Sequence, residues 1–472
     1  MRFSPIPSAS LTAFILVFSI GTVPVQSQIK TVELTISGSP EPVPSLAYRL
    51  LHNHAELKPG DAAPIYTRIN VLMSPERMKD LKTHPKNWFD RPIDATTYPE
   101  VRDYVKSWAS QLQQIEFGAA RRDCSWNYTL DEQRENAFEI LLPDAQQSRQ
   151  WMVVLNLKAR AEIYEERYVE AAKTIRTSIA FGRHVGQGPF SVNGLFGFSM
   201  LGYNCIVLEE WVSKPDSPNL YWALTALPRP LLSMRTAVEQ ELILPKLLLP
   251  EMVVGPEPLT VAEWDARLVR LHKRIIALRN KPSALAIEPE IAERSKKPLE
   301  DYREWILPEA RKFAESHPKM KFQSDSQLIV TYIWQRYQEL YDDLFKSYYL
   351  PLAVSDPFHR EAMRNLYKTS KGPLWFLYPM LGNVEGMYSS EAHLERRIAI
   401  LRIIEALRLH LQTSSKLPET LAELKIVPIP ADPWTDRAFD YEVSGDIVSL
   451  GNFKEKNGYN FISRLSQFMP PH

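Results

Sequence analysis

Few residues in this chain have the types and spacing that chemistry needs. Gly197-Phe198-Ser199 opens like a nucleophile elbow, a tight turn that lifts a serine above its neighbours. The pattern requires glycine two residues after the serine, and Leu201 stands there. His52 and His54 flank Asn53. A His-x-His pair ligates a metal only with further ligands nearby, and no downstream motif supplies an obvious carboxylate or histidine. Cys124 follows Arg121, Arg122 and Asp123. Guanidinium groups favour a thiolate, but a structural cysteine beside a salt bridge is the reading expected here. Cys205 lies in an apolar run and reads as a small buried hydrophobe. No CxxC or Cys/His zinc spacing occurs. Tyr332, Trp334, Tyr337, Tyr341, Tyr348 and Tyr349 could line a ligand groove, yet an aromatic stripe at helical spacing reads as core. Motifs thus name no catalytic residue, no cofactor site and no metal site.

The elements that would position any site centre on Trp151 to Glu241. Val153, Leu157, Ala161 and Tyr164 recur at the spacing of one helical face, and Tyr168, Ala171, Ala172, Ile175 and Ile179 form a second after the polar break Glu165-Glu166-Arg167. Ala159 and Ala171 allow close helix contact. From Phe190 to Leu208 there is no charge. That length could just span a bilayer, but Ser191, Asn193, Ser199, Asn204 and three glycines favour a buried core helix. Ser217 or Asn219 can cap a short helix with Leu220, Ala223, Leu224 and Leu227 on its apolar face, ended by Pro228 and Pro230. The unbroken apolar row Leu220 to Leu224 makes Trp222 an expected core anchor.

Three resemblances follow from these residues. Tyr168 with Ala171 after the short break resembles the second helix of a tetratricopeptide repeat, in a single partial copy without the 34-residue recurrence of an array; an ordinary antiparallel helix pair is the competing reading. The stretch from about Lys158 to Glu241 resembles a family of exported bacterial proteins with no assigned activity. It does so through the helix pair, His184-Val185, Gly188-Pro189, Asn219 to Leu224 and Leu227-Pro228-Arg229-Pro230. Tyr48 to Leu51 and Pro59 to Tyr66 are similar to the start of the same family. Finally, the long helix before Leu417-Pro418, Asp432-Pro433-Trp434, the Phe439/Tyr441 alternation and Ile447 to Gly451 resemble the soluble domain of the type II secretion major pseudopilin. That resemblance implies a small antiparallel sheet with Trp434 as its plug. In that family the loop after the Ser-x-Gly strand holds calcium. Here Ser449 to Gly458 offers one carboxylate, Glu455, between Lys454 and Lys456, so a calcium-free loop is expected. Pseudopilins carry their long helix at the N-terminus, whereas here it lies near residue 400.

Composition sets the frame. The 472 residues are 44% hydrophobic and 24% charged, with 17 glycines and 37 prolines, which suits helices punctuated by proline-bearing loops. Equal numbers of basic and acidic residues, 56 each, argue against a nucleic-acid binder. Residues 1–27 read as a secretory signal peptide: Arg2, the apolar run Leu11 to Ile20, and Val25-Gln26-Ser27 at the cleavage positions, with an uncleaved anchor as the competing reading. Export follows, with no stable membrane span after cleavage. Asn127-Tyr128-Thr129 is a glycosylation sequon that matters only in a eukaryotic secretory pathway.

The expected fold class is mainly α, a multi-helix array or bundle with a small C-terminal α+β module. Residues 28–390 form the helical domain, with a break near 281–297 dividing it, and 391–472 form the long helix and sheet. Expected elements are a strand over 31–37; helices over 97–118, 261–280 (capped by Thr260 and Glu263), 299–317 and 324–349; and a long helix from Ser389 or Ser390 to Gln412. The first functional expectation is an exported protein that binds a protein partner or scaffolds the envelope. An envelope hydrolase with a site assembled from distant residues is the alternative, and a secretion-machinery component is the third.

Overall fold

A computed structural model describes residues 30–40, 47–83, 88, 92–126, 143–188, 190–241, 243–279, 289–294, 296–381, 384–414, 416–445, 447–452 and 461–467. The signal segment, the sequon, Pro189, residues 281–288 and the loop 453–460 lie outside these residues. The fold is mainly α with a small mixed sheet.

The principal elements, in chain order, are strand β1 (Lys30–Ile36), β2 (Lys58–Asp61), helix α1 (Ala63–Val71), α2 (Tyr98–Ser107), α3 (Ala109–Ala119) and β3 (Arg121–Asp123). There follow α4 (Pro143–Tyr164), α5 (Tyr168–Gly186), α6 (Ser191–Val212), α7 (Val261–Arg279), α8 (Leu299–Ser316), α9 (Asp325–Lys346) and α10 (Leu352–Ser370). The chain closes with α11 (Val384–Ser414), β4 (Asp440–Ser444), β5 (Ile447–Gly451) and β6 (Phe461–Gln467).

Helices α4, α5 and α6 pack consecutively, and α11 lies against α6. The α4–α5 turn is tight because Glu166 takes a left-handed conformation at φ 59°. Glycine sets the α5–α6 approach: a Cβ on Gly197 would stand 2.5 Å from the Gly186 Cα. Helix α6 is long and apolar enough to cross a membrane by length and composition, yet it is mostly buried among its neighbours, as expected of a core helix. Both glutamates at its end are neutralised inside the fold. Glu209 pairs with Arg397 of α11 at 2.6 Å, and Glu210 with Arg160 of α4 at 2.5 Å.

The single helix expected over 97–118 is two helices, broken at Trp108. That ring is fully buried edge-on to Trp151, with the Arg77 guanidinium 3.7 Å from its centroid. Seating it there takes residue 108 out of helical geometry, at φ −109° and ψ 10°. The Thr260/Glu263 capping box forms as expected: the Thr260 N–H donates to Glu263 at 2.7 Å and the Glu263 N–H to the Thr260 hydroxyl at 3.3 Å. Helix α11 starts five residues before Ser389. Ser390 does not cap it, because its hydroxyl donates back to the Gly386 carbonyl at 2.6 Å.

The sheet runs β1-β6-β5-β4, with β4, β5 and β6 antiparallel. The fourth strand, β1, comes from the N-terminal side of the chain and pairs parallel to β6. One apolar cluster runs from Ile36 through α6, α7, α9 and α11 to Val448 and Leu450. Trp434 does not plug the sheet: its indole N–H donates to Asp356 of α10 at 2.9 Å, and its ring meets Tyr388 and His393 of α11. Ile36, Phe439, Val448 and Leu450 are among the buried apolar side chains on the sheet side. Most of the aromatic series is core, with Tyr332, Trp334, Tyr337 and Tyr348 buried, but Tyr349 is 54% exposed.

Candidate functional site

Two segments far apart in the chain, Pro59 to Tyr66 and His184, meet. Asp61 accepts the Ala63 and Ser125 backbone N–H groups, each at 2.9 Å, which holds the start of α1 to the strand after α3. The Tyr66 hydroxyl is 2.8 Å from His184 Nδ1, and the Trp126 indole N–H donates to the His184 carbonyl at 2.7 Å. Gly118 makes room, since a Cβ there would lie 2.3 Å from a Tyr66 ring carbon. Burial pushes the His184 imidazole down to about 4, and burial pushes the Tyr66 phenol up. Cys124 stands against this cluster as a free thiol, pushed well above its ordinary range by burial and then by Asp61. Such a thiol is a poor nucleophile. The salt bridge expected beside Cys124 is replaced by a hydrogen bond from Arg121 to the Pro59 carbonyl at 2.8 Å. His52 is half-buried and His54 exposed. Among the described residues no group of three or more His, Cys, Asp or Glu side chains is placed to hold a metal.

The Asn219 segment is a clasp on α11. Ser217 and Asn219 are fully buried, as are Glu405 and Arg408. Asn219 donates to Glu405 at 2.9 Å, the Leu220 N–H donates to the same carboxylate at 2.8 Å, and Arg408 pairs with it at 2.9 Å while donating to the Ser217 carbonyl at 2.8 Å. Neither Ser217 nor Asn219 caps the short helix: its N-cap is Leu220, without a side-chain cap, and Asn219, one residue earlier, accepts the Tyr221 N–H at 3.0 Å. Further along, the Leu231 and Met234 N–H groups donate to Glu395 and Glu391 of α11 at 2.7 and 3.1 Å.

Trp222 is not the core anchor expected from the apolar row: it is 38% exposed, whereas Tyr221 is fully buried and bonds the Pro428 carbonyl. The helix here has five residues, Tyr221–Thr225, so only one side faces the core, and Leu220, Tyr221, Ala223 and Leu224 occupy it.

Neither polar cluster opens a binding surface. An open cleft of about 670 Å³ does, between α2–α3 on one wall and α4 with the α4–α5 turn on the other. Lys106, Ser110, Gln113 and Glu116 line the first wall at steps of four, three and three, all exposed and with no side-chain hydrogen bond or salt bridge among the described residues; Glu116 also acts electrostatically on His52. The second wall carries Lys158, Glu162, Glu165 and Arg167. Glu162 is buried, accepts the Thr174 hydroxyl at 2.7 Å and has Lys158 at 3.7 Å. Burial raises its carboxyl above the ordinary range, with Lys158 and Thr174 opposing. Glu165 is tied to Tyr98 and Arg167. Beyond Glu116 and Glu162 a narrower groove continues along α5 past Glu170, Lys173 and Thr177. Both the cleft and its continuation are lined by charges of either sign.

None of the cleft residues belongs to a sequence motif. The trace that could have found them is Lys158 and Glu162, charges one turn apart in a helix whose Leu155, Leu157, Ala159, Ala161 and Ile163 are all buried. Comparison with known proteins finds no matching family model, no matching curated protein and no matching solved structure.

Proposed function

We propose that this is an exported protein that binds a protein partner, and that the cleft between α2–α3 and α4 receives a charged segment of that partner. The observation that carries this reading is the wall Lys106, Ser110, Gln113 and Glu116. These four polar side chains are aligned on one wall of the cleft, and none of them makes a side-chain hydrogen bond or salt bridge within the fold. Unpaired polar groups that converge on a concave surface are the features that fix a ligand's orientation. A photo-crosslinking residue at Gln113 in the source cells tests it. One discrete protein adduct is expected, absent from a control at the exposed Glu315 of α8 and lost on Lys106→Glu with Glu116→Lys. An adduct pattern equal at both positions rejects the cleft as the binding surface.

A second reading, an envelope hydrolase, has one observation in its favour: the buried Glu162 carboxyl at the cleft wall is raised, as a proton donor requires. Glu162→Gln distinguishes the two. Adduct formation at Gln113 persists if the cleft only binds, whereas a trapped, undegraded substrate accumulates there if Glu162 donates a proton.

A further inference from the structure

Helix α10 and the turn before it carry a second surface, on the outside of the molecule. Tyr349, Leu350, Val354, Phe358 and Tyr367 are 54, 39, 51, 52 and 50% exposed. No other stretch of that length among the described residues exposes more than two large hydrophobic side chains. Single exposed apolar residues need no explanation, but a contiguous set marks an interaction surface.

Leu350, Val354 and Phe358 follow one another at steps of four, Leu350 just before the helix and Val354 and Phe358 along one flank of the outward side, while Tyr367 lies on the other flank; Ser355, His359, Ala362, Met363 and Leu366 face inward. Arg360, Arg364 and Lys368 are exposed on the same outward side, and Lys371 follows with its ammonium 4.7 Å from the Tyr367 ring centroid. The helix has two carboxylates. Asp356 is turned inward to the Trp434 indole and also holds Arg360, which leaves Glu361, paired with Arg364 at 3.1 Å, as the exposed one. Lys368 makes no ion pair. Arg235 adds a further cation over the Tyr349 ring, at 4.9 Å. The acids at the end of α9, Asp342 and Asp343, are both bridged by Lys346.

We propose that this face of α10 rests on an anionic lipid surface, Val354 and Phe358 entering the headgroup boundary while Arg364 and Lys368 meet lipid phosphates. Interspersed aromatic, aliphatic and cationic side chains are the composition of interfacial helices. Long cationic side chains bury their stems while keeping their charge at the phosphates, and each contributes near an anionic bilayer. A protein partner would call for a clustered hot spot with a polar rim; here the aliphatic and aromatic side chains of the first turns run on into Arg360, Arg364 and Lys368, with Tyr367 among the cations.

Co-sedimentation of the full chain with phosphatidylcholine vesicles, and with vesicles containing phosphatidylglycerol, tests the proposal. Three proteins are compared: the native chain, Val354→Ser with Phe358→Ser, and Arg364→Glu with Lys368→Glu. All three keep the apolar N-terminal run, so differences between them report α10. Thermal midpoints check that these exposed substitutions leave the fold intact. The expected result is stronger partitioning of the native chain to phosphatidylglycerol vesicles, weakened by salt, and a drop of at least about tenfold for the charge-reversed variant. Equal partitioning to both vesicle types, or variants that sediment like the native chain, overturns it. Capture on polyglutamate beads without vesicle binding also overturns it, in favour of an acidic protein.

Discussion

The clasp around Glu405 and the cleft beside Glu162 are built from the same residue types and behave oppositely. In the clasp every charge is fully buried and closed on itself: Glu405 is met by Asn219, Leu220 and Arg408, and Arg408 by Ser217. In the cleft Glu162 has local partners, whereas the exposed side chains of Lys106, Gln113 and Glu116 across from it make no hydrogen bond or salt bridge. The difference separates polar groups closed on one another inside the fold from polar groups that face solvent. A buried network is tolerable only when complete, because an orphaned charge there is costly. An exposed wall can leave groups unsatisfied at no such cost, since water serves them.

The sharpest way to break this comparison is to open the clasp. Glu405→Ala strands the Arg408 guanidinium in the core and should cost about 3–5 kcal/mol in chemical denaturation. A loss below about 1 kcal/mol would mean that water or a neighbour compensates, and the clasp would not be what docks α11.

The Tyr66–His184 pair gives a pH-dependent version of the same test. The folded His184 value, about 4, lies below the ordinary 6.5, so the contribution of neutral imidazole is complete above 6.5 and is lost as pH falls toward 4. At most about 3 kcal/mol is at stake over that window. His184→Gln should flatten the decline in unfolding free energy between those pH values; an unchanged slope would assign the acid sensitivity to other groups, such as His359 and His393, which burial also lowers to about 4.

Gly118→Ala tests the same region by sterics. A methyl 2.3 Å from the Tyr66 ring must displace it, at a cost of about 1–3 kcal/mol. A melting temperature at or above the native one would show that the ring moves freely and that its bond to His184 contributes little.

The smallest effects belong to the exposed positions. Trp222→Ala should cost under about 1 kcal/mol, far from the loss expected of a buried tryptophan. Lys106→Ala and Glu116→Ala should each stay within about 0.5 kcal/mol of the native stability while abolishing the Gln113 adduct. A stability loss in step with the lost adduct would return the cleft to the structural side of the comparison.

Much of the fold was legible in order along the chain. The α4–α5 faces, the buried character of α6, the Thr260/Glu263 cap, the aromatic stripe of α9 and the Asp432 turn all follow from periodicity and capping chemistry, which act over a few residues. The Asp432 side chain does accept the Trp434 N–H at 3.1 Å, as a turn aspartate should. What Asp432 also does, pairing with Arg396 at 2.6 Å and accepting the Asn452 amide at 3.0 Å, was not legible, because those partners lie 36 and 20 residues away.

The candidate site was scarcely legible at all. His52, Cys124 and the aromatic series carried the chemical interest in the sequence; the structure leaves His52 and Cys124 half-buried, and buries most of the aromatic series while exposing Tyr349. Helical periodicity locates the face of α4 that is apolar, but it cannot tell whether a charge on that helix meets water, a partner or a cleft.

By itself the sequence determined local geometry: where helices run, which faces are apolar, which residues cap and turn. Those properties depend on neighbours three or four positions apart, and one chain contains them all. Only the tertiary structure decided that Tyr221 rather than Trp222 is buried, that β1 completes the sheet beside β6, and that Lys106 and Glu116 stand unpaired across from Glu162. Each of these is settled by which distant segment arrives, and the free energy of burial or pairing depends on that arrival, not on the residue type alone.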